Sequence, residues 1–178
     1  MKTIDLKYLT EITIPNSVET IESEAFFGIS ELVTVTFGAG LKTIGAYAFA
    51  QTAIVNLRLP PLVETVGTNA FASTSLVHIF IPQSVTTIKD QAFASNSELL
   101  SLSVTDSVTS LAYNSFAFSN MALVDTSYCG TLYLDLDSKF YGSSVTCRSP
   151  SNITVSTTVS NANKSITFNV GKTINHGG

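Results

Sequence analysis

Apolar residues recur along most of this chain in one pattern that repeats every 22 or 23 residues. Five segments share the pattern without a gap, and each carries a phenylalanine at the same distance from its first residue. The segments begin at Leu9, Leu32, Ile54, Leu76 and Leu99, and the phenylalanines are Phe26, Phe49, Phe71, Phe93 and Phe116. A repeat of this length predicts a solenoid, because one unit cannot bury its apolar positions alone and stacked units can.

Within each repeat, the first half predicts strands and the second half a turn. The opening run, for example LTEITI at 9–14, alternates apolar and polar residues and is rich in β-branched residues, which predicts a strand. Pro15, Pro60 and Pro82 end three of these runs, since proline cannot donate to a β-ladder. Residues such as 18–21 predict a second short strand on another face. The stretch around each Ala-Phe pair is too short for a stable helix and is expected to be a turn or a 3₁₀ segment.

The spacing L-x-x-I-x-I-P-x-S-V-x-x-I-x-x-x-A-F resembles the BspA-like, or treponemal-type, leucine-rich repeat. The closest copies are LTEITIPNSVETIESEAF at 9–26 and LVHIFIPQSVTTIKDQAF at 76–93, and the resemblance covers residues 9 to about 128. Many BspA-like repeats carry a cysteine shortly after the Ala-Phe pair, and this chain does not. That position reads Ile29, Thr52, Thr74, Asn96 and Ser119. Pattern and resemblance together predict a mainly β leucine-rich-repeat solenoid with a parallel sheet on its concave face and a C-terminal β cap or hairpin.

The resemblance also carries an expectation about function. The family is known mostly from secreted or surface proteins of bacteria and protists, and it is associated with adhesion and protein binding rather than catalysis. It therefore implies a non-catalytic binding module at the cell surface or outside the cell, with a host protein or a second copy of the chain as partner. The alternative is a structural subunit that assembles end to end, or by strand donation, into a filament or surface layer. A third interpretation is an intracellular scaffold.

The outward positions of the first strands are the candidate binding surface. Side chains alternate between the two faces of a strand, so two outward columns run along the concave sheet. They read Glu11, Thr34, Asn56, His78, Ser101 and Thr13, Thr36, Arg58, Phe80, Ser103. Arg58, His78 and Phe80 stand out among short polar residues, and aromatic and arginine side chains anchor interfaces. We expect these three, with Asn56 and Glu11, to contact the partner; the alternative is an ordinary solvated strand face with one scattered apolar residue.

The chain divides into a repeat array and shorter flanking segments. Residues 1–8 are expected to be a lead-in or partial cap, and MKTIDLKY lacks the apolar run of a signal peptide, which leaves a cytosolic protein or one whose signal was removed. Residues 9–128 hold five full repeats and one partial repeat, with a sixth strand around Val124. Residues 129–148 are expected to cap the core, with a strand at 131–136. Residues 149–178 are rich in Ser, Thr and Asn and predict a β-hairpin.

Two kinds of modification are suggested near the C-terminus. A disulfide between Cys129 and Cys147 would staple the cap and contribute about 3 kcal/mol. We favour this bridge because the expected location is extracellular; the alternative is two free thiols that pack as small hydrophobes. Asn152 and Asn163 begin the triplets NIT and NKS, which match the N-glycosylation acceptor pattern. Such matches also arise by chance in a tail of this composition.

Composition narrows the function further. Only 12% of residues are charged and the formal net charge is −4, so no basic surface for nucleic acid is expected. No apolar run reaches the roughly 18 residues that a membrane span needs. The chain has two histidines and no recognisable catalytic or phosphate-binding motif, so we expect no enzyme, cofactor or metal site. The carboxylates of Asp135 and Asp137 share one face of a possible strand and could bind Ca²⁺, but two carboxylates alone are a weak signal, and a solvated strand face is the favoured interpretation.

Overall fold

The structure, a computed structural model, describes residues 6–104, 107–108, 110–111, 115–116, 123–126, 131–132, 144–147, 153–160 and 165–172. Each repeat contains one longer and one shorter strand. The longer strands are β1 (Glu11–Thr13), β3 (Thr34–Thr36), β5 (Asn56–Arg58), β7 (His78–Phe80) and β9 (Ser101–Val104). The shorter strands are β2 (Thr20–Ile21), β4 (Thr43–Ile44), β6 (Thr65–Val66), β8 (Thr87–Ile88) and β10 (Ser110–Leu111). A 3₁₀ turn, Leu6–Tyr8, precedes β1.

All strand pairs within the repeats are parallel, as predicted, and equivalent positions lie side by side. The shorter strands form one continuous sheet in the order β2-β4-β6-β8-β10, in which Ile21, Ile44, Val66 and Ile88 form a buried column. The longer strands form two sheets. β1 pairs with β3 alone, and β5 begins a second sheet that continues through β7 and β9. The sequence did not predict this break between β3 and β5.

The phenylalanines stack along the solenoid. Rings of consecutive repeats lie 5.0–5.5 Å apart between centroids and within 7° of parallel, from Phe26 to Phe116. Backbone hydrogen bonds join the same turns: the Phe49 amide donates to the Ala70 carbonyl at 2.8 Å, and the Phe71 amide donates to the Ala92 carbonyl at 2.7 Å. Around the Ala-Phe pairs that the structure describes, the backbone forms turns, and the 3₁₀ alternative is not adopted.

These turns require an unusual backbone. The residues two before and two after the phenylalanine adopt positive φ angles of 54–72° in the first four repeats, and only one of the eight is glycine. They are Glu24, Gly28, Tyr47, Gln51, Asn69, Ser73, Gln91 and Ser95. Left-handed backbone at a non-glycine residue costs about 1 kcal/mol or more, and it persists only where the surrounding structure over-determines it. The stacked rings and the backbone bonds between turns supply that constraint here.

A buried polar network occupies the position at which many family members carry cysteine. Asn96 is fully buried, and its Nδ2 donates to the carbonyl oxygens of Phe93 at 2.7 Å and Phe71 at 3.0 Å. Its Oδ1 accepts from the Thr74 amide at 3.1 Å. In the second repeat, Thr52 occupies the equivalent position, and its hydroxyl donates to the Phe49 carbonyl of the same repeat at 2.8 Å. The network therefore joins neighbouring repeats inside the core by hydrogen bonds.

The two ends of the array differ in how the structure continues. In the first repeat, Ile12, Val18 and Phe26 are only partly buried, whereas the corresponding residues of the third and fourth repeats are buried. At the other end, β11 (Leu123–Thr126) pairs with β9 and places Val124 beside Leu102, which confirms the predicted sixth strand.

β13 (Ser144–Cys147) then pairs with β11 in the same parallel sheet, a pairing that the sequence did not predict. The predicted hairpin is present as β14 (Ile153–Ser160) and β15 (Ser165–Lys172), which pair antiparallel along their whole length. β12 (Thr131–Leu132), the start of the predicted cap strand, pairs with β15. Cys129, Asn152, Asn163, Asp135 and Asp137 lie outside the described residues; Cys147 is the last residue of β13.

Candidate functional site

The candidate site lies where β5, β7 and β9 run side by side. Their register places Asn56, His78 and Ser101 in one row across the sheet. Arg58, Phe80 and Ser103 form a second row. Between these exposed or half-exposed positions, Leu57, Ile79 and Leu102 point inward and are buried. The alternation that predicted the two outward columns is therefore present, and it holds four of the predicted residues on adjacent strands. We call the outward side of β5, β7 and β9 the binding face.

Phe80 is the most exposed large apolar side chain of the binding face. Its relative exposure is 58%, although Ile79 and Ile81 on either side of it are buried. No other aromatic ring of the described residues stacks on it or meets it edge-on. An aromatic side chain of this kind buries a large area when a partner covers it, and its few rotatable bonds limit the entropy lost.

Arg58 supplies the positive charge of the binding face. The side chain is exposed, and no acidic residue pairs with it in the part of the chain that the structure describes. Lys42 differs from Arg58, because the Lys42 Nζ lies 3.0 Å from Glu19 Oε2. Lys42 and Glu19 directly precede β4 and β2, in the sheet of the shorter strands. The guanidinium of Arg58 can therefore offer its planar set of N–H donors to a ligand.

His78 is held by a neighbouring strand. Its Nδ1 lies 2.7 Å from the hydroxyl oxygen of Ser101, the residue that pairs with it in β9. This hydrogen bond restricts the imidazole ring and leaves Nε2 as the ring nitrogen available to a ligand. Asn56, on the other side of His78, adds an amide that can both donate and accept. The binding face thus presents several hydrogen-bonding groups on β5, β7 and β9.

Two hollows meet at Arg58 and Phe80. One has a volume of about 580 Å³ and extends across the strands, and the other has a volume of about 830 Å³ and extends past the strand ends. The first, the polar hollow, is lined by Thr34, Val35, Asn56, Leu57, Arg58, His78, Ile79, Phe80, Ser101, Leu102 and Ser103. The second, the proline hollow, is lined by Asn16, Phe37, Ala39, Leu57, Arg58, Leu59, Pro60, Pro61, Phe80 and Pro82.

The sequence predicted part of this arrangement. Arg58, His78, Phe80 and Asn56 are brought together, whereas Glu11 lies on β1, in the separate two-stranded sheet, and lines neither hollow. The sequence pattern did not predict the proline hollow, because the prolines were assigned only as strand ends. The available signal was that Pro60 and Pro82 directly follow Leu59 and Ile81, the positions equivalent to Phe37 in the next two repeats. The Phe37 ring meets the Phe49 ring edge-on at 5.6 Å, so one wall of this hollow rests on the phenylalanine stack.

The described part of the chain contains no group of three or more His, Cys, Asp or Glu side chains that could hold a metal ion. None of its helices is long and apolar enough to cross a membrane. The binding face offers hydrogen bonds, one cation and one aromatic ring, which suits recognition of a ligand.

The comparison with family models gives one match. A model described as "BspA type Leucine rich repeat region (6 copies)" matches residues 5–122. This range contains the five repeats that the sequence pattern defines, and with them the whole binding face. Comparison with curated proteins gives no match.

Solved structures with the same fold include three bacterial proteins. The pneumococcal vaccine antigen PcpA is 30% identical with a TM-score of 0.61, and the match covers 68% of this chain and 32% of PcpA. A leucine-rich repeat protein from Bacteroides ovatus is 30% identical with a TM-score of 0.58, covering 67% of this chain and 34% of that one. The T. pallidum leucine-rich repeat protein is 22% identical with a TM-score of 0.58, covering 65% and 58%, and shows the fold alone. The matched region spans about a third of the first two proteins.

Proposed function

This chain belongs to the BspA-type leucine-rich repeat family, and from that premise we propose that it is a non-catalytic protein-binding module that holds its partner on the binding face. Leucine-rich repeats are typically protein-interaction modules, and this family membership supports the general function. The proposal adds the surface: Arg58, His78, Phe80 and Asn56 contact the partner.

The exposure of Phe80 carries the proposal. A phenylalanine that is 58% exposed lies on a strand whose inward residues are buried, beside an arginine and between two hollows. Interfaces draw most of their binding energy from a few such aromatic and arginine residues near their centre. β7 pairs in parallel with β5 on one side and with β9 on the other, so the anchor residues are already ordered before binding.

We further propose that the module is displayed at the cell surface or secreted and serves in adhesion. Support comes from the relatives: PcpA is a pneumococcal vaccine antigen, and BspA-like homologues are cell-surface proteins. An exposed aromatic ring and several hydrogen-bonding groups on ordered strands suit adhesion to a partner.

The test uses the whole chain and random peptides. Peptides displayed on phage are selected on the immobilised protein, and each selected clone is then measured on Phe80→Ser and, as a matched control on the same outward column, on Thr13→Ala. We expect Phe80→Ser to lose the clones and Thr13→Ala to retain them. Clones that bind Phe80→Ser as well as they bind the unmodified protein would contradict the proposed surface.

A second candidate function is self-assembly by strand pairing. β14 is eight residues long, reads ITVSTTVS without a charge or a proline, and lies at the edge of the sheet β12-β15-β14. Long uncharged edge strands pair readily with other chains, which natural proteins usually prevent with charges or prolines. Light scattering coupled to size-exclusion chromatography, over a wide range of protein concentration, tests this function. Assembly predicts a mass that grows with concentration, and a constant monomer mass would exclude it.

A further inference from the structure

The charge of the binding face is unbalanced. Arg58 is exposed without an acidic partner among the described residues. The outward positions of β5, β7 and β9 carry no acid; Glu11 lies on β1 in the two-stranded sheet, and Asp125 lies on β11 beside Ser103, with β7 and β9 between it and Arg58. An exposed arginine that a partner covers gains most from a carboxylate, which accepts two parallel N–H bonds from the guanidinium. The complement of this face is therefore an anionic group at Arg58.

The proline hollow is suited to an apolar group of the ligand. Its walls are mainly the apolar side chains of Phe37, Leu59, Pro60, Pro61 and Pro82, with Phe80 on the side shared with the polar hollow. Its volume of about 830 Å³ is in the range that holds a small ligand or a large side chain. An aromatic or large aliphatic side chain would cover these walls and the exposed ring of Phe80 together.

Resting on the proposed function, we propose that the binding face takes an extended acidic peptide segment of its partner, with a carboxylate side chain at Arg58 and a large apolar side chain in the proline hollow. Because both hollows share Arg58 and Phe80, the two peptide side chains must be close together. An extended chain advances about 3.3 Å per residue and its neighbouring side chains point to opposite faces, so the two side chains on one face are separated by one residue. His78, Asn56 and Ser101 lie in the polar hollow, where they can bond the peptide backbone.

An acidic glycan is the main competitor for the same charge. A carboxylated sugar would satisfy Arg58 and the hydrogen-bonding groups of the polar hollow. It carries no large apolar group, however, and would leave the proline hollow and much of Phe80 uncovered. The apolar hollow beside the arginine thus favours the peptide.

Fluorescein-labelled octapeptides in a Gly/Ser background test the inference by fluorescence anisotropy on the full chain. Two peptides carry one Asp and one Phe separated by one residue, in either order, and matched peptides replace Asp with Asn or Phe with Ser. We expect at least one Asp/Phe peptide to bind about tenfold or more tightly than its matched forms, because each replacement removes a charge-assisted bond or an apolar anchor.

Protein variants locate the binding. Arg58→Ala is expected to reduce the affinity about tenfold or more, and Arg58→Lys less, since lysine keeps the charge without the planar fork. Lys42→Ala also removes one positive charge, but beside the sheet of the shorter strands, and is expected to leave the affinity for the peptide unchanged. Circular dichroism and thermal unfolding check that each variant is folded.

Three outcomes would overturn the inference. Equal binding of the Asp and Asn peptides would show a site without charge selection, and the proposed function would stand if displayed clones still require Phe80. Binding of sialyllactose or an oligogalacturonate that requires Arg58, with no peptide binding, would assign the face to glycans instead. The absence of binding by every Asp/Phe peptide would reject an acidic peptide ligand, while the displayed clones decide the proposed function separately.

Discussion

Phe49, Phe71 and Phe93 repeat one residue at one position and are fully buried. The outward column of Arg58 and Phe80 instead holds four different residue types in its five positions, Thr13, Thr36, Arg58, Phe80 and Ser103. The first column stacks rings at nearly constant spacing along the solenoid. The second faces solvent on strands with the same parallel register. The comparison teaches that a repeat protein separates its two tasks by column: positions that must be identical build the fold, and positions free to differ are available for recognition.

Removal of one ring from the stack has the largest expected effect. Phe71 is fully buried between the Phe49 and Phe93 rings, so Phe71→Ala leaves a cavity and should lower the free energy of unfolding by about 3–5 kcal/mol. Urea denaturation followed by circular dichroism measures this. Phe80→Ala is the matched control and should change the free energy of unfolding by no more than about 0.5 kcal/mol. Equal losses for the two variants would break the distinction between the columns.

The polar network tests whether the buried column depends on hydrogen bonds as well as on packing. Asn96→Leu keeps the volume but leaves the carbonyl oxygens of Phe71 and Phe93 and the amide of Thr74 without this partner. Unsatisfied buried groups of this kind cost about 1–3 kcal/mol, so the midpoint of urea denaturation should fall. Asn56→Leu, on the binding face, is the control. A more stable Asn96→Leu variant would show that packing alone holds neighbouring repeats together.

An exposed ion pair should contribute much less. The side chains of Lys42 and Glu19 are 46% and 65% exposed, so Lys42→Ala is expected to cost no more than about 1 kcal/mol. Because salt screens such pairs, the cost should shrink further in concentrated NaCl. Thermal unfolding at low and high salt measures the difference. A large, salt-independent loss would mean that Lys42 contributes through packing of its aliphatic stem.

The smallest stability effects are expected on the binding face itself. Arg58→Ala and Phe80→Ser remove exposed side chains. Each should change the free energy of unfolding by no more than about 0.5 kcal/mol. Their effect should appear in ligand binding alone. A substantial loss of stability in either variant would place these side chains among the residues that hold the fold.

The repeat predicted register well, because a fixed period puts equivalent residues beside one another. The pairing of Val124 with Leu102 followed from it even where the repeat weakens. Backbone detail did not follow. Left-handed residues such as Glu24 and Tyr47 gave no signal, since their side chains do not usually adopt that conformation and only the stacked structure imposes it.

Features that depend on how two repeats meet were also beyond prediction from sequence. The absence of pairing between β3 and β5 is one such feature, and no single residue marks it. The role of Asn96 requires knowing that its amide reaches carbonyl groups of two repeats. For the candidate site, alternation predicted the outward residues of β5 and β7, while the proline hollow emerged only once the strand ends were placed together.

Chemical-shift mapping tests the central claim most directly, that ligands bind on the outward side of β5, β7 and β9. The measurement compares ¹H–¹⁵N spectra of the labelled full chain with and without a peptide selected on it. We predict that the largest shifts occur at amides of these three strands, around Arg58 and Phe80, and that the sheet of the shorter strands β2, β4, β6 and β8 is unaffected. Shifts centred on that sheet of shorter strands or on the phenylalanine turns would contradict the account.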